Sequence, residues 1–309
     1  INTVPYRKGR ATQPCMTIYT QAESNIHKTW ILITLFLVFI IALGWLFSYL
    51  LDNQIFLILA VIIAFFQSIL SCWYSDKIVL LMTGAKLIEK RDNPELYRVV
   101  ENLCITAGLP LPKIYILNEA QPNAFATGRD VNHAVIVVTR GLLEKLEKVE
   151  LEGVISHELS HIGNKDMFLQ TIVVILVGII GIISNWFLRI SFWRRREREE
   201  RDSANAIFII FGIIAAILAP IAATLIQLAI SRKREFLADA TGALLTRYPE
   251  GLARALEKIA MNPNPLRVAN DATSHLYIVN PLRGREKTSW FHKLFMTHPP
   301  IEERVRILR

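Results

Sequence analysis

Four long stretches of this 309-residue chain carry no charged side chain, and no other feature constrains its fold as strongly. They are Ile31–Leu51, Asn53–Ser75, Phe168–Leu188 and Ser203–Ser231. A helix needs about 20 mainly apolar residues to cross a bilayer, and each stretch reaches that length. One such stretch fits a buried helix of a soluble core; four together point to a membrane protein. The first two, rich in Leu, Ile, Phe and Trp, read as two transmembrane helices. The third holds Gln170 and Asn185. The fourth holds Asn205, Gln227 and Pro220, the last a residue that kinks helices. These two either cross the membrane or form a helical hairpin that does not.

Lys and Arg set the orientation of such helices. Arg7, Lys8, Arg10 and Lys28 precede the first run, and Lys77, Lys86, Lys90 and Arg91 follow the second. Only a tight Asp52-Asn53 turn lies between. The N-terminus and the segment after Ser75 are therefore expected on the cytoplasmic side of a cell (inner) membrane. The link Arg189–Asp202 conflicts with this scheme, because it holds six arginines that a full double crossing puts outside. The net charge of +8 fits basic residues that flank membrane segments near anionic lipid. No basic patch interleaved with aromatics lies away from those flanks, which argues against nucleic acid as a partner. Cys15, Cys72 and Cys104 show no C-x-x-C spacing, so neither a disulfide framework nor a thiolate metal site is expected. Residues 1–30 form a polar, basic extension with no assigned fold. The first run is too long for the core of a cleaved signal peptide and is read as retained.

Between Lys77 and Asp166 the pattern becomes that of a water-soluble domain. Asn93-Pro94-Glu95 starts a helix with Pro94 at its first position; Leu96, Val99, Val100 and Leu103 share one face, and Gly108 ends it. Lys113–Leu117 and Ala134–Thr139 read as strands. Glu144–Lys165 is expected as one helix. Further helices are expected from Ser231 to about Thr246, over Glu250–Ala260 and over Pro300–Leu308, with Asn262–Ser289 as loop.

On the Glu144–Lys165 helix lies His157-Glu158-Leu159-Ser160-His161. Two histidines four residues apart project from one helical face and can reach a single Zn²⁺ through their ring nitrogens. Glu158 can then act on a water that the metal activates without ligating the metal itself. That is two ligands and a general base in five residues. The alternative is a surface helix whose side chains are merely solvated. A catalytic zinc keeps three protein ligands. Arg234-Glu235-Phe236-Leu237-Ala238-Asp239 offers the third. Glu235 and Asp239 share a helical face, so Glu235 can ligate while Asp239 accepts the free N–H of a ligand histidine. Here too an ordinary solvated face is the competing reading. The apolar runs favour the metal site. His161 lies just before the third run and Glu235 just after the fourth, and a hairpin of two helices returns to the face it left.

His157-Glu158-x-x-His161 followed by Glu235-x-x-x-Asp239 resembles the pattern of gluzincin peptidases. The extended segment Ser156–Asp166 is similar to that of the HtpX-type membrane peptidases. So are Pro122-Asn123-Ala124-Phe125-Ala126-Thr127-Gly128, Ser231–Glu235 and Thr297-His298-Pro299-Pro300. The similarity runs in order from about residue 30 to the end. CAAX prenyl peptidases and mitochondrial Oma-type peptidases are related, but the two-plus-two apolar runs look more like the HtpX type. The N-terminal extension and the charged Arg189–Asp202 link depart from the pattern.

The resemblance implies an α-helical membrane protein carrying a gluzincin-type zinc peptidase domain, α+β with a small edge-strand sheet. With it go two transmembrane helices in 31–75, a first peptidase segment in 76–166, a helical hairpin in 167–231 and a second peptidase segment in 232–309. It implies one Zn²⁺ per chain on His157, His161 and Glu235, with Glu158 as general base and Asp239 behind a ligand histidine. His298, with Arg304 as companion, stabilises the oxyanion. Asn123-Ala124-Phe125-Ala126 looks like the substrate-binding edge strand of thermolysin-like enzymes, whose unpaired N–H and C=O groups take an extended peptide. Asn164 and Asp166 match the pattern without an assigned role. Implied substrates are polypeptides, membrane proteins among them, cleaved at the lipid bilayer in quality control without ATP. The chain has no Walker A sequence, so no nucleotide is expected.

Three other readings compete. A processing peptidase for lipidated or signal substrates differs only in what it cuts. A zinc-binding membrane scaffold that does not cleave has no use for Glu158. A transporter is disfavoured, because no run holds an intramembrane charge.

Overall fold

The structure, a computed structural model, describes residues 18–50, 52–194, 232–262, 264–270, 272–281 and 299–309, together with Ile221 and Thr224. All of the first apolar run up to Leu50 lies within α1 (Ile18–Leu50), and the second forms most of α2 (Ile55–Thr83). The two helices pack along one another. Over Asn25–Leu46, α1 is long and apolar enough to cross a membrane. By contrast α2 is bent: Leu57–Ser68 and Trp73–Thr83 meet at 89°, and Tyr74 leaves helical geometry at φ −121°, ψ 17°. The third run makes up most of α6 (Asp166–Arg194). The fourth, Ser203–Ser231, lies outside the described residues apart from Ile221 and Thr224.

The four candidate transmembrane helices are thus borne out only in part, since the second run is bent and the fourth lies outside the described residues. Among the described residues one helix qualifies as a span, or up to three if each bent pair crosses as one. Hydropathy reports composition along the chain and is blind to a bend in the helix that carries it.

Leu32, Phe36 and Ile40 of α1, Ala60 and Ala64 of α2, and Ile172, Val173 and Leu176 of α6 share one core. On their outer sides Trp30, Leu35, Val38, Trp45, Phe65 and Phe66 are each more than half exposed. Contiguous apolar surface of that extent is unfavourable in water. The start of α6 has a second role. Val174 is fully buried against Phe125 and Tyr277, in the core of the soluble part.

That soluble part is built on a four-stranded sheet of β1 (Lys86–Leu87), β2 (Lys113–Leu117), β3 (Ala124–Thr127) and β4 (Val135–Thr139), ordered β1-β2-β4-β3. Strands β2 and β4 run parallel, with Ile114 beside Ile136; β3 is antiparallel to β4, with Phe125 beside Val137. The sheet order therefore leaves β3 at an edge. Every residue of β4 is buried, as a β-branched run in the middle of a covered sheet requires. Helix α3 (Pro94–Ala107) starts and ends where the residue types dictate. The Asn93 side chain accepts the Leu96 N–H at 3.0 Å, and Gly108 takes the left-handed φ of 66° that ends the helix. The face of Leu96, Val99, Val100 and Leu103 is buried, as its spacing predicts.

Glu144–Lys165 is not one helix but the end of α4 (Arg140–Lys145) followed by α5 (Lys148–Gly163). The break is set locally, because the Glu150 carboxylate accepts the Glu147 N–H at 2.8 Å and starts a new helix there. At the far end Lys165 has φ 57°, which stops α5 and turns the chain through 85° into α6. The last helices among the described residues are α7 (Arg232–Thr246), α8 (Pro249–Ala260) and α9 (Ile301–Leu308), and the described residues between 262 and 281 are irregular apart from one short turn of 3₁₀ helix.

At the centre lies α5, packed by α3, α7, α8 and β3. Two glycines permit this crowding. A Cβ on Gly153 would stand 2.6 Å from the Leu252 backbone nitrogen on α8, and one on Gly242 of α7 would stand 3.0 Å from the His157 backbone nitrogen. Gly153→Ala therefore forces α5 and α8 apart. It should cost about 1–3 kcal/mol, read as a lowered thermal midpoint of the detergent-solubilised protein.

Candidate metal centre

His157 and His161 stand one turn apart on α5, and both are buried. Gly242 lets α7 lie directly against that turn, so Glu235 and Asp239 of α7 face the two rings. The His157 and His161 Nε2 atoms are 3.2 Å apart. Glu235 Oε2 lies 3.9 Å from the first and Glu235 Oε1 lies 3.6 Å from the second. These are the three groups that could hold one metal ion among the described residues.

The outer nitrogens decide what the inner ones can do. His157 Nδ1 is 2.9 Å from Asp239 Oδ1, and His161 Nδ1 is 3.2 Å from Asp166 Oδ2. An ionised carboxylate only accepts, so each Nδ1 carries the hydrogen and, in the neutral ring, each Nε2 keeps a lone pair. With both rings neutral, two lone pairs face each other across 3.2 Å, an arrangement relieved by a proton on one Nε2 or by a metal cation between them. Zinc–nitrogen bonds of about 2.0–2.1 Å at tetrahedral angles place two ligand nitrogens about 3.3–3.4 Å apart. The donor set and its spacing both fit zinc.

The electrostatics follow from the burial. Removal from water pulls the His161 imidazolium down, but Asp166, Glu235 and Glu158 outweigh it and raise the pKa to about 9. Burial pushes Glu158 up to about 7, with Glu235 adding to the rise and His161, the Ala126 N–H that it accepts and Arg304 opposing it. Asp239 is also penalised by burial, yet Arg304 and His157 hold its carboxyl down at about 2. Arg304, on α9, grips Asp239 with both ends of its fork, Nη2 to Oδ1 at 2.6 Å and Nε to Oδ2 at 2.8 Å. Its Nη1 is 3.7 Å from Glu235 Oε2 and donates to the Ile278 carbonyl at 2.9 Å.

The structure thus brings His157, Glu158, His161, Glu235, Asp239 and Arg304 together. Asn123 and β3 border this cluster, joined through the bond from Ala126 N–H to Glu158. The outward side of β3 is engaged by the chain itself. The Ile278 N–H donates to the Ala124 carbonyl at 3.0 Å, and the Asn123 side-chain amide donates to the Val279 carbonyl at 2.9 Å. Phe125 points the other way, its ring 5.0 Å from that of Tyr277. His298 lies outside the described residues. Of the other histidines, His275 is buried with a ring nitrogen 3.2 Å from the Gln170 carbonyl, and His133 pairs with Asp130 at the surface.

Sequence reasoning gave Asp166 no role, yet it is the counterpart of Asp239. It lies five residues beyond His161 across the Lys165 break, an offset that no helical period links to the metal face. Only the motif similarity drew attention to it.

Two measurements follow from this geometry. With His161 held near pH 9, zinc must displace a proton from it at neutral pH. Apparent zinc affinity should therefore rise about tenfold per pH unit through neutrality and level off towards about pH 9. Chelator competition across pH reads this, and a flat profile contradicts it. Asp239→Ala should weaken zinc retention about 10–100-fold in the same assay, because it frees the His157 ring.

Known proteins resemble this chain over most of its length. Residues 90–309 match Peptidase family M48. The chain is 47% identical over 295 residues to a Dictyoglomus turgidum protein named Protease HtpX homolog, covering 95% of this chain and 94% of that protein. A Pyrococcus furiosus protein of the same name is 48% identical over 282 residues, covering 91% of this chain and 95% of that one. The crystal structure of S. mikatae Ste24p overlays at a TM-score of 0.48 and 20% identity, over 91% of this chain and 66% of that one, too slight a likeness to carry function. With that family match and those relatives, the chain belongs to peptidase family M48.

Proposed function

We propose that this protein is a membrane-embedded zinc endopeptidase, with one zinc per chain, that cleaves polypeptides, membrane proteins among them, in ATP-independent quality control. The observation that carries the reading is the convergence of two imidazole Nε2 atoms and the Glu235 carboxylate beside a buried Glu158. Zinc bound there would supply Lewis acidity to a scissile carbonyl and to an attacking water. Glu158 is placed to accept a proton from the attacking water and to return it to the leaving amine. Its pKa of about 7 is close to the ideal for a base working near neutrality. Asp239 and Asp166 hold the two rings in the tautomer that leaves both Nε2 atoms free to ligate.

His298, carried by its Thr297–Pro300 motif, is the donor for the oxyanion; Arg304, read from the sequence as its companion, grips Asp239 behind the His157 ring and lies 3.7 Å from Glu235. The substrate lies along the Asn123–Ala126 edge beside Glu158. Pairing at Asn123 and Ala124 requires Ile278 and Val279 to yield the bonds they make there. The lipid-facing surface is the exposed apolar side of α1 and α2. The basic residues around them favour a multi-pass protein with its catalytic part facing the cytoplasm.

Glu158→Gln tests the assignment. The variant is isosteric and cannot take a proton, so peptide cleavage by purified protein should fall about 10²–10⁴-fold while zinc stays bound. Cleavage at the parental rate would refute the role of Glu158.

A further inference from the structure

Asn25 is a polar residue in the candidate membrane span of α1, and it is only 3% exposed. An amide in such a place is costly unless both its ends are paired. Here both are. Its Nδ2 donates to Asp166 Oδ1 at 2.6 Å and lies 3.4 Å from the Asn164 carbonyl, while its Oδ1 accepts from Arg234 Nη1 at 3.1 Å. Asp166 holds His161 Nδ1 with its other oxygen, and Arg234 is the residue before Glu235. The Arg234 Nε is 3.6 Å from Asp166 Oδ1. One side chain of α1 therefore touches the α5–α6 corner that carries one metal-facing group and the helix α7 that carries another.

We propose that Asn25 is a positioning residue for the metal centre, so that α1 forms part of the outer shell of the site as well as anchoring the chain. The inference rests on the metal reading above. Its physical basis is that Asp166 can orient the His161 ring only if its own carboxylate is held. The Asn25 amide donates to the Asp166 oxygen turned away from the ring, and the Arg234 guanidinium forms an ion pair with that same oxygen at 3.6 Å. Among short side chains, asparagine alone offers a donor to the acid and an acceptor to the arginine at the same reach without adding a charge.

The test uses the full chain in detergent, with zinc and cobalt as probes. Asn25→Leu keeps the branched heavy-atom skeleton but lacks both polar ends. Chelator competition should show zinc held about 10-fold or more weakly than in the parent, the range in which such outer partners act. The visible absorption of the cobalt form should change in position or intensity. Asn25→Gln, which keeps the amide, should recover part of both. Leu32→Ala, one helical face further along in the same core, should lower the thermal midpoint and leave zinc retention and the cobalt spectrum as in the parent. If Asn25→Leu does not fold, Asn25→Ser, too short to reach Asp166, takes its place in the same comparison. Parental zinc retention and cobalt spectrum in the Asn25 variant overturn the inference while leaving the metal reading intact, and so does an equal loss in Leu32→Ala. A parent chain that holds neither metal overturns the metal reading and this inference with it.

Discussion

Two imidazole nitrogens face each other across 3.2 Å in the middle of this protein, and the surrounding structure exists to keep them there. Each ring is pinned from behind by a buried carboxylate, Asp239 or Asp166. Each carboxylate is pinned in turn, the first by the Arg304 fork and the second by Asn25 and Arg234. These supports come from four helices, α1, α6, α7 and α9. Asp239 and Asp166 touch the rings directly, whereas Asn25 reaches His161 only through Asp166.

The charges in this cluster suit a cation. Glu158, Asp166, Glu235 and Asp239 are all buried, and Arg234 and Arg304 are buried with them. Four carboxylates against two arginines leave two negative charges without compensation, which is the charge of one divalent ion. Without it, burial pushes Glu158 up to about 7, and the surrounding carboxylates outweigh burial at His161 and raise it to about 9. A buried network of this kind is poor value as a source of stability. Its retention makes sense as the means of binding and orienting a metal.

The membrane segments and the catalytic core are not separable layers. The first turns of α6 pack on β3 and Tyr277 through Val174 while the same helix packs against α1 and α2. Thr171 on α6 shares a 2.9 Å hydrogen bond with Thr127 at the end of β3. A helix that looks like a simple span by composition thus forms one wall of the soluble core. The 85° turn at Lys165 is what allows it to serve both.

Local periodicity was enough to make His157, Glu158 and His161 legible, because i and i+4 share a helical face whatever surrounds them. The same rule placed Glu235 with Asp239, and it placed the buried face of α3. The apolar runs marked α1, α2 and α6 because the demand for apolar length is a property of composition. Folding alone decided the rest. The bend in α2 and the split between α4 and α5 depend on backbone geometry that hydropathy does not register. Asp166, Asn25 and Arg234 meet around His161 from positions with no common period. The outward edge of β3 meets Ile278 and Val279, more than 150 residues further along the chain. A sequence determines on its own what neighbouring residues dictate to one another. Which distant side chains share a buried charge, and therefore which groups hold the metal ligands still, is settled only when the chain closes on itself and excludes water.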